Sequence, residues 1–172
     1  MDMIAHTFGK RLKTEHYHIR IGVYGILLNR ITDKIIVVSP PNGSYLLPGG
    51  EKEKQETDEE TLKRESVEEL GFQIEVGKYV GAGEDYFYST HREKYYHNPA
   101  YFYVIDSWEK ISEPLEDFNG IEWMTLPEAL KKLKRGSHRW AIEQFIKDKK
   151  EKNDLLELRN EEEKCKEKES RI

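Results

Sequence analysis

Three carboxylates, Glu65, Glu68 and Glu69, stand at offsets 0, +3 and +4 within Gly50–Phe72, GEKEKQETDEETLKRESVEELGF, a stretch that holds nine acidic residues. On an α-helix those offsets share one face. Like charges so placed repel each other and weaken an isolated helix. A hard divalent cation removes that penalty, because oxygen-rich clusters bind Mg²⁺, Mn²⁺ or Ca²⁺. The chemistry this spacing offers is therefore a metal site on a helix. The bland alternative is a solvated acidic face, the usual meaning of a charge run.

The elements that must position these acids are legible on either side of them. Thr57 followed by Glu60 fits a capping box and starts a helix near Thr57. Gly71 fits a stop just after Leu70. At about 100° per residue, Leu62, Ser66, Val67 and Leu70 cover one side of this helix and the three glutamates a neighbouring arc. One side can sit on a core while the other faces a cleft. Upstream, Leu47-Pro48-Gly49-Gly50 is a loop whose glycines permit close backbone approach to a ligand.

The full pattern is more specific than the acids alone. Gly50, five residues, Glu56, seven residues, then Arg64-Glu65-Ser66-Val67-Glu68-Glu69-Leu70-Gly71-Phe72 resembles the Nudix box at every charged and glycine position. Ser66 departs from it, standing where the family usually has an aliphatic residue. Looser similarity to MutT-type Nudix proteins runs over roughly His18 to Lys147. The resemblance implies a Nudix-like α/β/α sandwich with a mixed β-sheet. It also implies hydrolysis of a nucleoside diphosphate linked to another moiety, with Mg²⁺ as cofactor and Mn²⁺ as the other cation such a site accepts. Substrates of that class are nucleoside triphosphates (oxidised ones included), dinucleoside polyphosphates and nucleotide sugars.

Carried onto this chain, the resemblance makes Glu65 and Glu69 the main metal ligands and Glu68 a third ligand or the base. Arg64 pairs with Glu56 and orients the helix, with direct phosphate binding as its alternative role. The backbone carbonyl of Gly49 or Gly50 can complete the coordination, and Gly50, Glu56 and Gly71 are structural. A further metal-binding acid from outside the box is expected at Glu116, with Glu113, Asp117 and Glu122 as competitors. Substrate contacts are expected from Arg20 on the first strand, from His91, Arg92, His97 and Asn98 on a loop between strands, and from His138 or Arg139 at the start of the last helix. The aromatic concentration Tyr86–Tyr88, Tyr95–Tyr96 and Tyr101–Tyr103 could stack on a base, although strand residues must also fill a core. The other reading is a non-catalytic nucleotide-binding regulatory module on the same fold. Loss of a box carboxylate would mark it, and none is lost here.

Composition bounds the rest. A chain of 172 residues suits one domain with an ordinary core plus an appendage. The net charge of −5 gives no general nucleic-acid field. No apolar run approaches the ~20 residues of a membrane span. The N-terminus lacks an apolar signal core, and the single Cys165 excludes an intramolecular disulfide, so a cytoplasmic location is expected. The six histidines lack zinc spacing.

The strand and helix pattern predicts strands at His18–Leu28 and Lys34–Ser39, joined as a hairpin through a turn at Asn29–Asp33, then a turn at Pro40–Gly43 and a short strand Ser44–Leu47. After the acidic helix, Phe72–Gly83 reads as a strand broken at Gly77, Gly81 and Gly83, and Asp85–Ser89 continues it. Pro99–Trp108 and Ile121–Met124 are further strands. Helices are expected at Pro127–Lys134 and from near His138. This gives an α/β class with residues 1–147 as the catalytic domain. Residues 148–172 form a charged extension, helical or partly disordered, in which Leu155, Leu156 and Leu158 are the only apolar cluster. Those leucines make a homodimer the assembly to expect; small-molecule nucleotides, rather than membranes or nucleic acids, are the expected partners.

Overall fold

The computed structural model describes residues 6–41, 43–116 and 119–171. Its order is β1 (Thr7–Phe8), β2 (Tyr17–Ile19), β3 (Gly22–Ile26), β4 (Leu28–Asn29), β5 (Lys34–Ser39), β6 (Gly49–Glu51), α1 (Asp58–Leu70), β7 (Phe72–Ser89), β8 (Lys94–Lys110), β9 (Gly120–Thr125), α2 (Leu126–Lys132) and α3 (Gly136–Glu169). One mixed sheet runs β1-β7-β8-β3-β6, with β2 also on β8. A second, antiparallel sheet runs β4-β5-β9. Asn42 of the Pro40–Gly43 turn and Asp117 lie outside the described residues.

The helix bearing the acids forms where its caps dictate. Thr57 Oγ1 accepts from the Glu60 amide at 3.2 Å, and the Glu60 carboxylate accepts from the Thr57 amide at 3.3 Å. At the other end Gly71 takes φ 70°, and a Cβ there would lie 2.0 Å from the Ser112 carbonyl oxygen. Only glycine fits that left-handed C-cap. The Gly71 carbonyl in turn accepts from the amides of Ile111 and Ser112, and the Glu68 carbonyl from those of Leu115 and Glu116. The end of α1 thereby fixes the segment that follows β8.

The core lies between this helix and the strands. Leu62 and Leu70 of α1 join Val23, Leu27, Ile36, Val38, Ile74 and Ile105, with Trp108 and Trp123 packed at the margin. Burying a leucine of this kind stabilises the fold by about 1.5–3 kcal/mol. Leu62 and Leu70 thus seat one side of α1 on the core, and the neighbouring acidic arc is drawn partly inside with it.

Several elements differ from the sequence expectation. The run His18–Leu28 is two strands, because the Arg20 amide donates to the His97 carbonyl and Asn98 Nδ2 donates to the Arg20 carbonyl at 2.6 Å. These bonds interrupt the run between β2 and β3, and both pieces pair in parallel with β8. The expected hairpin is correspondingly smaller: β5 pairs with the two residues of β4 and with β9, while β3 belongs to the other sheet. Its turn is as expected, with Asn29 Oδ1 accepting from the amides of Ile31 and Thr32. The short strand Ser44–Leu47 is reduced to bridges at Tyr45 and Leu46. The segment Phe72–Ser89 is one continuous strand. Irregularities between Glu75 and Gly81 absorb the uneven alternation that read as breaks. His97 and Asn98 are correspondingly in β8, opposite Tyr86 and Asp85, and not on a loop.

The chain divides into two compact units, Met1–Ile142 and Glu143–Ile172. In the second, the charged segment is helical as far as Glu169, and Leu155, Leu156 and Leu158 are exposed.

The departure at Ser66 has a visible consequence. Its side chain is fully buried under α1, and its hydroxyl finds no hydrogen-bond partner among the described residues. A buried hydroxyl left in that state costs about 1–3 kcal/mol. Ser66→Ala is expected to stabilise the protein by about 1 kcal/mol and raise Tm by roughly 2–4 °C in a thermal melt. A lower Tm would mean that the hydroxyl is satisfied by solvent.

Candidate active site

The three helical acids differ in environment although they share a face. Glu65 and Glu69 are buried, at 9% and 7% exposure, and Glu68 is half-buried. Burial pushes the Glu65 carboxyl up to about 7, against the opposing pull of the Arg64 guanidinium. It raises Glu69 well above the usual carboxylate range, against the pull of the Gly49 amide. That amide donates to Glu69 Oε1 at 2.8 Å.

The glycine loop makes this geometry sterically feasible. Gly49 has φ 141°, and a Cβ there would fall 2.1 Å from the Val23 carbonyl oxygen. A Cβ on Gly50 would lie 2.4 Å from the Glu65 carboxylate. Both glycines sit in β6, which pairs antiparallel with β3 through Tyr24–Gly49 and Val23–Gly50. The loop backbone therefore occupies the space that side chains would deny to the acids.

Arg64 ties the acids together. Its Nε donates to Glu56 Oε1 at 2.7 Å and its Nη2 to Glu56 Oε2 at 3.2 Å. The same guanidinium donates to Glu65 Oε1 at 3.0 Å, to Glu68 Oε2 at 3.2 Å and to the Glu51 carbonyl at 3.0 Å. The Arg64 contact, helped by the Thr61 hydroxyl, holds the Glu56 carboxyl down at about 2. A bidentate pair of this type fixes orientation as well as charge.

Glu116 comes to the same place from outside the helix. One carboxylate oxygen each of Glu65, Glu68 and Glu116 lie within 4.8 Å of one another. Asn119 Nδ2 donates to Glu116 Oε2 at 2.9 Å. Of the competing acids, Glu113 faces Lys110 on the surface and Glu122 lies 3.9 Å from Lys132 on β9. A convergence of three carboxylates, with a fourth buried on the same helix face, suits a hard divalent cation. Without one, the Arg64 guanidinium, which is shared with Glu56, and the Gly49 and Asn119 donors oppose their repulsion only in part.

The expected substrate residues are spread over two neighbouring cavities. The smaller, of about 140 Å³, is lined by Gly49, Gly50, Glu51, Arg20, Asn98 and Arg135 among others. The larger, of about 850 Å³, includes His91, Arg92 and Arg139. Arg20 lines both, and its Nε donates to Glu51 Oε2 at 3.0 Å. His138 does not fit the expected role. It is 0% exposed, its Nδ1 accepts from the Leu47 amide at 3.1 Å, and its ring packs 4.4 Å from that of Tyr24. Burial holds it neutral, well below the usual histidine value. Its position braces the loop that leads to Gly49, and it lines neither of these two cavities.

Sequence reasoning did not single out Lys134 or Arg135. The basic run Lys131-Lys132-Leu133-Lys134-Arg135 was the available signal, but the fold alone shows which of its members turn to a cavity. No helix is long and apolar enough to cross a membrane.

Comparison with known proteins accords with this geometry. No curated protein matches the chain by sequence. Among solved structures, the ORF135 protein of E. coli superposes with a TM-score of 0.58 at 20% identity, over 76% of this chain and 90% of its own. The MutT protein of Methanosarcina mazei Go1 gives 0.57 at 23%, over 81% and 99%. The MutT NUDIX hydrolase of Burkholderia pseudomallei gives 0.55 at 22%, over 74% and 98%. At such identities these likenesses establish the fold, a Nudix-like α/β/α sandwich. The family model of the NUDIX domain matches residues 18–146, three quarters of the chain. The chain therefore belongs to the NUDIX domain family, as a Nudix-type hydrolase that acts on phosphoric anhydride bonds.

Proposed function

We propose that this protein hydrolyses a nucleoside diphosphate linked to another moiety, with Mg²⁺ or Mn²⁺ bound by Glu65, Glu69 and Glu116 and by the carbonyl of Gly49, and with Glu68 beside the ion as the base. The observation that carries this reading is the convergence of Glu65, Glu68 and Glu116 beside the buried Glu69. A bound divalent cation would neutralise the anhydride oxygens and lower the pKa of an attacking water.

The chain's own groups divide the remaining work. Glu68 is the most exposed of the three helical acids and takes the proton of the attacking water; its Oε2 is already engaged by Arg64, which leaves Oε1 for the transfer. The water oxygen adds to phosphorus, the anhydride P–O bond breaks, and its electron pair leaves with the departing phosphate. Arg64 holds Glu65 and Glu68 in register and is itself fixed by Glu56. Arg20, at the edge of the smaller cavity, reaches substrate phosphate. Residues 1–147 constitute the catalytic domain in this reading, and residues 148–172 are an extension whose leucines serve self-association.

Three outcomes test it. Glu69→Gln retains an oxygen to accept the Gly49 amide but loses the charge; it should lower kcat by roughly 100-fold or more while the far-UV spectrum is unchanged. Near wild-type turnover would remove Glu69 from the site.

The second outcome concerns pH. Glu65 titrates near 7 in the folded chain and near the ordinary value of about 4.3 when unfolded. The folded state thus binds more protons between these values, so this group's contribution to stability falls as pH rises through 7. In metal-free protein, Glu65→Gln should melt above wild type at pH 7.5, with the gap closing towards pH 5. Saturating Mg²⁺ should raise Tm for wild type more than for the variant, because the ion binds only the folded state. A gap independent of pH and of metal would contradict the electrostatic account.

Third, truncation after Lys147 should leave kcat/KM within about twofold and reduce self-association in sedimentation. Collapse of activity would place the extension in the site, and equal monomeric masses would remove the dimer.

A further inference from the structure

The larger cavity carries a concentration of charge that the reaction at the acidic face does not use. Arg92, Lys134, Arg135 and Arg139 stand around it. None of the four has a carboxylate within ion-pairing distance among the described residues. Asp85, the acid among the described lining residues, is engaged by the hydroxyl and the amide of Ser137 and is near enough to Arg135 to offset part of that one charge. Three of the four cations are held in place by neutral groups. Arg139 Nη1 donates to the carbonyls of Leu133 and Lys134, both at 2.8 Å. Arg135 Nη1 donates to Asn98 Oδ1 at 2.6 Å, and its guanidinium lies 4.4 Å over the Phe87 ring. Arg92 lies 5.8 Å over the Tyr96 ring. These contacts orient the charges without cancelling them. In a chain of net charge −5, such a cleft concentrates field of one sign and attracts an anion.

The walls add a second requirement. Phe87 and the exposed Tyr88 supply flat apolar surface among the cations, and aromatic faces stack on aromatic rings. The volume of about 850 Å³ is in the range that holds a whole organic ligand, far more than a lone phosphate needs. Arg20, Leu46, Phe87 and Arg135 line both this cavity and the smaller one beside Gly49 and Gly50. A substrate with its anhydride at the acids therefore has a continuous route past this neck.

We propose that the larger cavity takes the second nucleotide of the substrate, an aromatic base together with phosphate. This rests on the hydrolytic function proposed above and selects, within it, dinucleoside polyphosphates over nucleotide sugars, whose distal moiety is uncharged. The four cations receive the distal phosphates and the aromatic wall receives the base.

The test compares diadenosine tetraphosphate with UDP-glucose, using wild type, Arg92→Gln, Lys134→Gln and the double variant, with thermal melts to verify folding. Wild type should prefer the dinucleotide. The double variant should raise KM for it by about tenfold, as for loss of one or two charge-assisted contacts, with kcat changed less than twofold. Its ratio of kcat/KM for the dinucleotide over the sugar should fall at least about fivefold. An equal effect on both substrates, or none on either, overturns the assignment of the cavity while leaving the hydrolytic function standing. A second readout separates the two claims: binding of diadenosine tetraphosphate in EDTA, followed by calorimetry. Binding that the double variant weakens, without hydrolysis of any substrate in Mg²⁺, would overturn the hydrolytic function and keep the cavity; absence of both binding and hydrolysis would overturn both.

Discussion

Carboxylates do not enter a protein interior without something to stabilise their charge, and the site is organised around two that do. Glu65 and Glu69 are buried on one arc of α1. The Gly49 amide and the Arg64 guanidinium give partial compensation, and Glu56 keeps the arginine in place. The loop must come close enough to donate that amide, so it must lack side chains at positions 49 and 50. The helix must end sharply enough to draw residues 111–116 across its last turn, so it must have glycine at 71. The box residues are thus one electrostatic assembly. Each member either carries charge, fixes charge or makes room for it.

Charge is also segregated across the catalytic unit. The acids gather on α1 and at Glu116, while arginines and a lysine gather on the turn after β7, between α2 and α3 and in the first turn of α3. The pair Arg20–Glu51 stands at the boundary between them. A polyanion meets cations directly on one side and needs a metal ion on the other. Under the function proposed above, this arrangement would orient a polyphosphate before any specific contact with a base is made.

His138 illustrates the limit of reading a residue by type. A histidine beside an arginine at a helix start reads as a ligand-binding pair. In the fold its ring is enclosed by Tyr24 and Phe102 and accepts the Leu47 amide, whereas Arg139 faces the cavity. Adjacent residues on a helix point about 100° apart, so one of such a pair can be core and the other site. Which is which depends on what packs against the helix, and no local pattern records that.

What the sequence determined was everything governed by short-range physics. The limits of α1 follow from Thr57, Glu60 and Gly71, whose hydrogen bonds and backbone angles close within a few residues. The clustering of Glu65, Glu68 and Glu69 follows from helical spacing alone. The spacing of the box carried the family as well. The tertiary structure decided whatever depends on contacts distant in the chain. It split the first strand where Asn98, 78 residues away, bonds to the Arg20 carbonyl. It joined β7 into one strand because β8 pairs along its whole length. It brought Glu116 to the helix through the Glu68 carbonyl, and Arg92, Lys134, Arg135 and Arg139 to one cavity. Such contacts arise from packing of whole faces against each other, and the residues that make them carry no local mark of their partners.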